Sequence, residues 1–77
     1  MTTTSTIGES VRRARKELGL RQDELAAAAG VGVRFLVELE KGKPTVQLGK
    51  VLSVLAAVGL EVQVIARKSS LGPVSPP

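Results

Sequence analysis

A mainly α fold is predicted for this chain: four short helices, the second and third forming a helix-turn-helix, followed by one C-terminal β-strand pairing across a homodimer. Three observations predict it. Within Arg21 to Gly42, RQDELAAAAGVGVRFLVELEKG, the spacing turns Leu25, Ala26, Val31, Leu36 and Leu39 inward around a left-handed turn at Gly30. Apolar residues recur at helical spacing on both sides of that segment. After Gly59 the period drops from 3.6 to 2, and no second strand pattern exists to pair with the first.

In chain order, residues 1–6 are Thr-rich and without pattern, which predicts a flexible lead with Ser5 or Thr6 capping the next helix. Ile7, Val11, Ala14 and Leu18 then share one face of a first helix over Ile7 to Leu18, closed by Gly19 as a left-handed cap. A second helix runs from Gln22 to Ala29, with Asp23 and Glu24 complementing the dipole in its first turn. Its alanines keep the face thin enough for a close crossing. The third runs from Val33 to Lys41 and stops at Gly42, with Pro44 just beyond. Thr45 is a good N-cap for the fourth, where Leu48, Val51, Leu52, Leu55 and Val58 form the main stripe until Gly59. Val54 lies off that stripe, which predicts a second buried face turned to another molecule.

From Leu60, Val62, Val64 and Ala66 point one way while Glu61, Gln63, Ile65 and Arg67 point the other. A lone strand leaves its backbone groups unpaired, so two copies meeting about a two-fold axis would supply the ladder. The alternative is an extended segment lying on the helices. Residues 7–66 thus form one domain, and 67–77, rich in Ser, Pro and Gly, read as a disordered tail or short arm.

A 77-residue chain holds one domain and buries only roughly 60% of its unfolded surface. With Phe35 its single aromatic residue, aliphatic side chains must build the core. Without cysteine or histidine, structural zinc is excluded and no metal or cofactor is expected. No Tyr and no paired carboxylates add to that set, so the expectation is a protein that is not an enzyme. No secretory pattern and no apolar run near ~20 residues predict a cytoplasmic protein that does not engage membranes.

The formal charge of +4 favours a polyanionic partner, and its distribution matters more than its sum. Arg12, Arg13, Arg15 and Lys16 cluster on the first helix, while Lys41, Lys43 and Lys50 flank the end of the third. Both clusters lie where phosphates pass a helix-turn-helix. With Leu36 and Leu39 inward, the outward set on the third helix is Val33, Arg34, Val37, Glu38 and Lys41. Arg34 can make a bidentate contact to guanine, Val33 or Val37 can meet a thymine methyl, and Glu38 can accept from cytosine N4. Glu38 can equally pair with Arg34 or Lys41 and touch no base. Arg21, Gln22, Lys41, Lys43 and Thr45 are the candidate phosphate contacts, Gln22 through its amide and the exposed N–H groups of the second helix.

The stretches LGLRQDELAAAAGV and FLVELEKGKPTVQLGKVLSVLAAVGLEV resemble the phage-repressor-like (XRE/Cro type) helix-turn-helix proteins over about Ile7 to Val64, and within them the HipB-like antitoxins. Gln22, Glu24-Leu25-Ala26, Gly30-Val31, Leu39-Glu40 and Gly42 carry the larger resemblance. The KGKPT turn, leucine-rich helix and single strand carry the narrower one. The resemblance implies a lambda-repressor-like fold, a homodimer joined through strands at Leu60, Val62, Val64 and Ala66 with Val54 behind them, and binding to a palindromic double-stranded operator. It also implies a nucleoid-associated bacterial repressor of its own operon that neutralises a HipA-like kinase toxin, or else a stand-alone phage-type repressor. Glu40 would pair with Arg15, making Arg15 structural and not a DNA contact. The chain departs from the family at Arg21 and Gly32, where Thr or Ser usually caps a helix; the first costs about 1 kcal/mol and the second a few tenths. A different class remains beside these: an interaction module that kept the fold and lost DNA binding.

Overall fold

A computed structural model describes residues 2–66, so the tail expected at 67–77 lies outside the described residues. Four helices follow one another: α1 (Thr4–Glu17), α2 (Gln22–Ala29), α3 (Val33–Glu40) and α4 (Leu48–Ala57). α1 packs on α3, and α2 packs on both α3 and α4. Val11 from α1, Leu25 and Ala26 from α2, Leu36 and Leu39 from α3, and Val51, Val54 and Leu55 from α4 meet in one core, closed by Val58.

α1 begins earlier than expected, because Thr3 rather than Ser5 or Thr6 is the cap: its hydroxyl accepts from the Thr6 N–H at 3.2 Å. The irregular lead is correspondingly shorter than residues 1–6. At the other end Leu18 is the C-cap and stands exposed instead of continuing the stripe of Ile7, Val11 and Ala14. The left-handed turn falls at Gly30, with φ 71° and ψ 31°, where the Val31 N–H reaches the Ala26 carbonyl at 3.0 Å. An L side chain would strain that backbone. This bond closes α2 and aims the chain into α3.

α4 starts at Leu48 with Gln47 as N-cap, and Thr45 caps nothing. Val46 explains the delay, since it packs half-buried against the core and holds the chain non-helical until Gln47. The buried face of α4 is Val51, Val54, Leu55 and Val58, an i, i+3, i+4, i+7 set. The expected second face at Val54 is therefore a correction: Val54 is 0% exposed within its own domain and has no surface to offer a partner. Leu48 and Leu52, placed in the stripe by the sequence, are the exposed large apolar residues of α4. α2 decides between the two faces, because α4 turns toward the element that crosses it.

Leu60 packs against the core, and residues 61–66 run exposed and without regular secondary structure in the single chain. Val62, Val64 and Ile65 are exposed apolar residues on this segment. No strand ladder exists among the described residues of one chain, so the expected pairing is not seen here. No helix among them is long and apolar enough to cross a membrane.

Candidate nucleic-acid interface

The pose of α3 depends on one carboxylate. Arg15 donates from Nε to Glu40 Oε2 at 2.7 Å and from a terminal nitrogen to Oε1 at 3.0 Å, and its other terminal nitrogen donates to the Leu20 carbonyl at 2.9 Å. Gln22 adds a third donor to Glu40, at 3.1 Å to Oε1. Side-chain exposure is only 11% for Arg15 and 4% for Glu40. The hydrogen bonds that Arg15 donates to Glu40 hold its guanidinium above its ordinary value, against the opposing cost of desolvation. A bidentate pair that makes further hydrogen bonds, here to the Leu20 carbonyl and from Gln22, is the form in which two charges can be held away from water. It ties the end of α3 to the last turn of α1 and the start of α2.

Gln22, expected as a phosphate contact, is thus turned partly inward by Glu40. Arg21 is engaged locally: its Nε donates to Asp23 at 3.1 Å, and its backbone N–H donates to Glu24 Oε1 at 2.8 Å. Arginine has no acceptor, so only this return half of a capping box is made. The Arg21 hydrogen bond holds the Asp23 carboxyl below its ordinary value. Both groups are exposed and exchange readily with solvent and counter-ions.

α3 ends at Glu40, one residue before the expected Lys41, which is its C-cap; residues 33, 34, 37 and 38 share the face opposite Leu36 and Leu39, and Lys41 follows on the same side. Val33 and Arg34 are exposed, whereas Val37 and Glu38 are half-buried. Glu38 pairs with Lys43 at 3.1 Å, a partner outside the two the sequence offered, because the turn at Gly42 folds Lys43 back over α3. Its backbone N–H meets the Glu38 carbonyl at 3.0 Å. Two expected DNA contacts, Glu38 and Lys43, therefore satisfy each other. Thr45 lies in the exposed loop beyond that turn.

Two features of the interface were missed in the sequence. Lys50 Nζ stands 5.6 Å from the centre of the Phe35 ring, a cation–π contact between α4 and α3. Gly8 lies where α1 crosses α3, its Cα facing the Leu39 carbonyl and the Glu40 backbone. A glycine inside the otherwise amphipathic first helix was the available signal. Among the described residues no group of three potential metal ligands occurs.

With this geometry in place, comparison with known proteins matches the helix-turn-helix family to residues 11–65, from mid-α1 to the end of the extended segment. The chain is also similar to a protein of Sinorhizobium fredii (strain NBRC 101917 / NGR234) called an uncharacterized HTH-type transcriptional regulator, y4mF. The two are 58% identical over 64 residues, which cover 83% of this chain and 84% of that relative.

Proposed function

Because this chain belongs to the helix-turn-helix family, we propose that it binds double-stranded DNA through α3 and regulates transcription, without catalysis of its own. The exposed α3 face, clamped to α1 and α2 by the Arg15–Glu40–Gln22 bonds, carries this reading. A helix held from two sides can present side chains to a groove without losing its pose. Arg34, exposed and without an ion pair among the described residues, is the base-reading residue. Val33 and Val37 add apolar contact. Lys43 leaves an exposed pair worth at most about 1 kcal/mol when a phosphate replaces Glu38.

The test is titration of the protein against the DNA upstream of its own gene at several salt concentrations. Submicromolar, sequence-preferring and salt-sensitive binding is expected; its absence leaves the interaction-module reading. Arg34→Ala should relax base preference by about 1–3 kcal/mol, whereas Lys43→Ala should weaken all duplexes alike and flatten the salt slope. Indistinguishable profiles for the two variants would refute these roles.

The finer reading is a HipB-like homodimeric repressor of the cytoplasm and nucleoid. The KGKPT turn, the apolar α4 and the single alternating segment 60–66 support it, as do Val64, 95% exposed in one chain, and Val62, half exposed there. Paired segments would set two α3 helices roughly 34 Å apart, one DNA turn. Val62→Pro removes a ladder donor at an exposed site and should give monomers with weak operator affinity. An unchanged sedimentation mass would rule this dimer out. A HipA-like kinase encoded beside this gene and bound by the purified protein would identify the antitoxin role; no such neighbour would leave a stand-alone repressor.

A further inference from the structure

Arg12, Gln22, Val37, Glu40 and Lys41 line one concavity of about 280 Å³ where α1, the first residue of α2 and the end of α3 converge. We infer that Arg12 and Lys41 grip one and the same DNA phosphate in this concavity, an extension that rests on the DNA-binding reading of α3.

The charges favour an anion there. Both Glu40 oxygens already accept, from two Arg15 nitrogens and from Gln22, so the one carboxylate on the wall is neutralised before a ligand arrives. Arg12 and Lys41 remain exposed, and neither has an ion-pair partner among the described residues. Two cations from different helices facing one hollow repel each other until an anion lies between them. Gln22 opens α2, where Asp23 and Glu24 already complement the helix dipole, so the positive charge of the hollow comes from Arg12 and Lys41. The Gln22 amide has a second N–H beyond the one given to Glu40. A phosphate seated here would touch three elements at once and, through Gln22, the bonds that hold α3. Arg13, next in sequence, does not line the hollow.

The experiment is the salt dependence of binding to a generic-sequence duplex of about two helical turns, for the full chain and its variants. If both side chains serve one phosphate, Arg12→Ala combined with Lys41→Ala makes the log–log slope shallower by about 0.9 per bound protomer, the value for one phosphate, with the number of protomers on the duplex taken from the sedimentation mass of the complex. Two separate phosphates would change it by about 1.8 per bound protomer, and that result overturns the shared seat. A double variant with the parental slope overturns it too. Arg13→Ala, the control for net charge, should weaken binding less than Arg12→Ala, and Arg12→Lys should recover most of the loss. Equal losses from Arg12→Ala and Arg13→Ala would reduce the effect to diffuse charge and refute the assignment. If the parent protein binds no duplex, the DNA-binding reading itself fails, a result distinct from all of these. Titration with inorganic phosphate alone, followed at the Gln22 and Lys41 amides, separates the sources of the anion. Saturation at millimolar phosphate would make this a free-anion site and overturn the assignment to the DNA backbone.

Discussion

Glu40→Ala should destabilise the domain by about 3–5 kcal/mol, the range for removing one partner of a buried pair. The change strands Arg15, whose side chain is only 11% exposed, with a single carbonyl for its guanidinium, and leaves the Gln22 amide without its acceptor. For so small a domain that is a large fraction of total stability. Urea unfolding should show a lower midpoint at an unchanged slope. The paired replacement Arg15→Met with Glu40→Leu separates uncompensated charge from lost packing, because an apolar pair of similar volume is often neutral or better. It should recover most of the stability, and a single-variant loss below about 1 kcal/mol would contradict the clamp. The Arg15 value is raised, so its contribution is fully present below the ordinary arginine range and is lost only as pH rises through the raised value. The arginine's stabilisation should therefore stay constant through neutral pH. Asp23 has the opposite sign: its lowered value makes the contribution present above the ordinary carboxylate range and lost as pH falls through that lowered value. Its exposure keeps that effect small.

Helices were legible wherever one dominant stripe met an unambiguous stop. The inward residues of α2 and α3, the left-handed Gly30 and the starts at Gln22 and Val33 all follow from spacing and turn chemistry within a few residues. α4 was harder because nearly every position in LGKVLSVLAA is apolar or small, so two stripes compete and the sequence alone cannot rank them. Val54 and Leu52 changed places for that reason. Caps were missed where tertiary packing outweighed local preference, as when Val46 held the chain against the core past Thr45. The ion pair of Arg15 and Glu40 was implied only by resemblance, since 25 residues separate its members and no local pattern joins them. On the candidate interface, outward positions of α3 could be counted from helical geometry. The partners of Glu38 and Gln22 depend on how the turn and the helix crossing place side chains, which periodicity does not encode.

Gly8→Ala turns the crossing of α1 and α3 into a direct measurement, because the usual sign of such a substitution is reversed there. In an unobstructed helix interior, alanine is more favourable than glycine by about 0.5–1 kcal/mol. At Gly8 a Cβ would overlap the Leu39 carbonyl oxygen and stand 3.2 Å from both the Cα and the carbonyl carbon of Glu40. These are backbone atoms and cannot rotate away. The Leu39 carbonyl is itself committed, accepting from the Gly42 N–H at 2.9 Å to close α3. Relief therefore requires α1 and α3 to move apart, which opens the core around Val11 and Leu39 and lengthens the Arg15–Glu40 bonds. The expected result is a loss of about 3 kcal/mol, at the upper end for overpacking, outweighing the helical gain. Gly49→Ala is the matched control: its added Cβ meets nothing within 4 Å, so it should be neutral or stabilising by up to about 1 kcal/mol. The two variants add the same methyl to glycines of different helices, so opposite signs in thermal unfolding isolate the crossing from helix propensity. Gly8→Ala should also weaken DNA binding under conditions where the variant remains folded, since α3 would be displaced against the helix that anchors it. Parental stability in Gly8→Ala would mean that α1 can shift at little cost, and that the close approach does not fix the pose of α3.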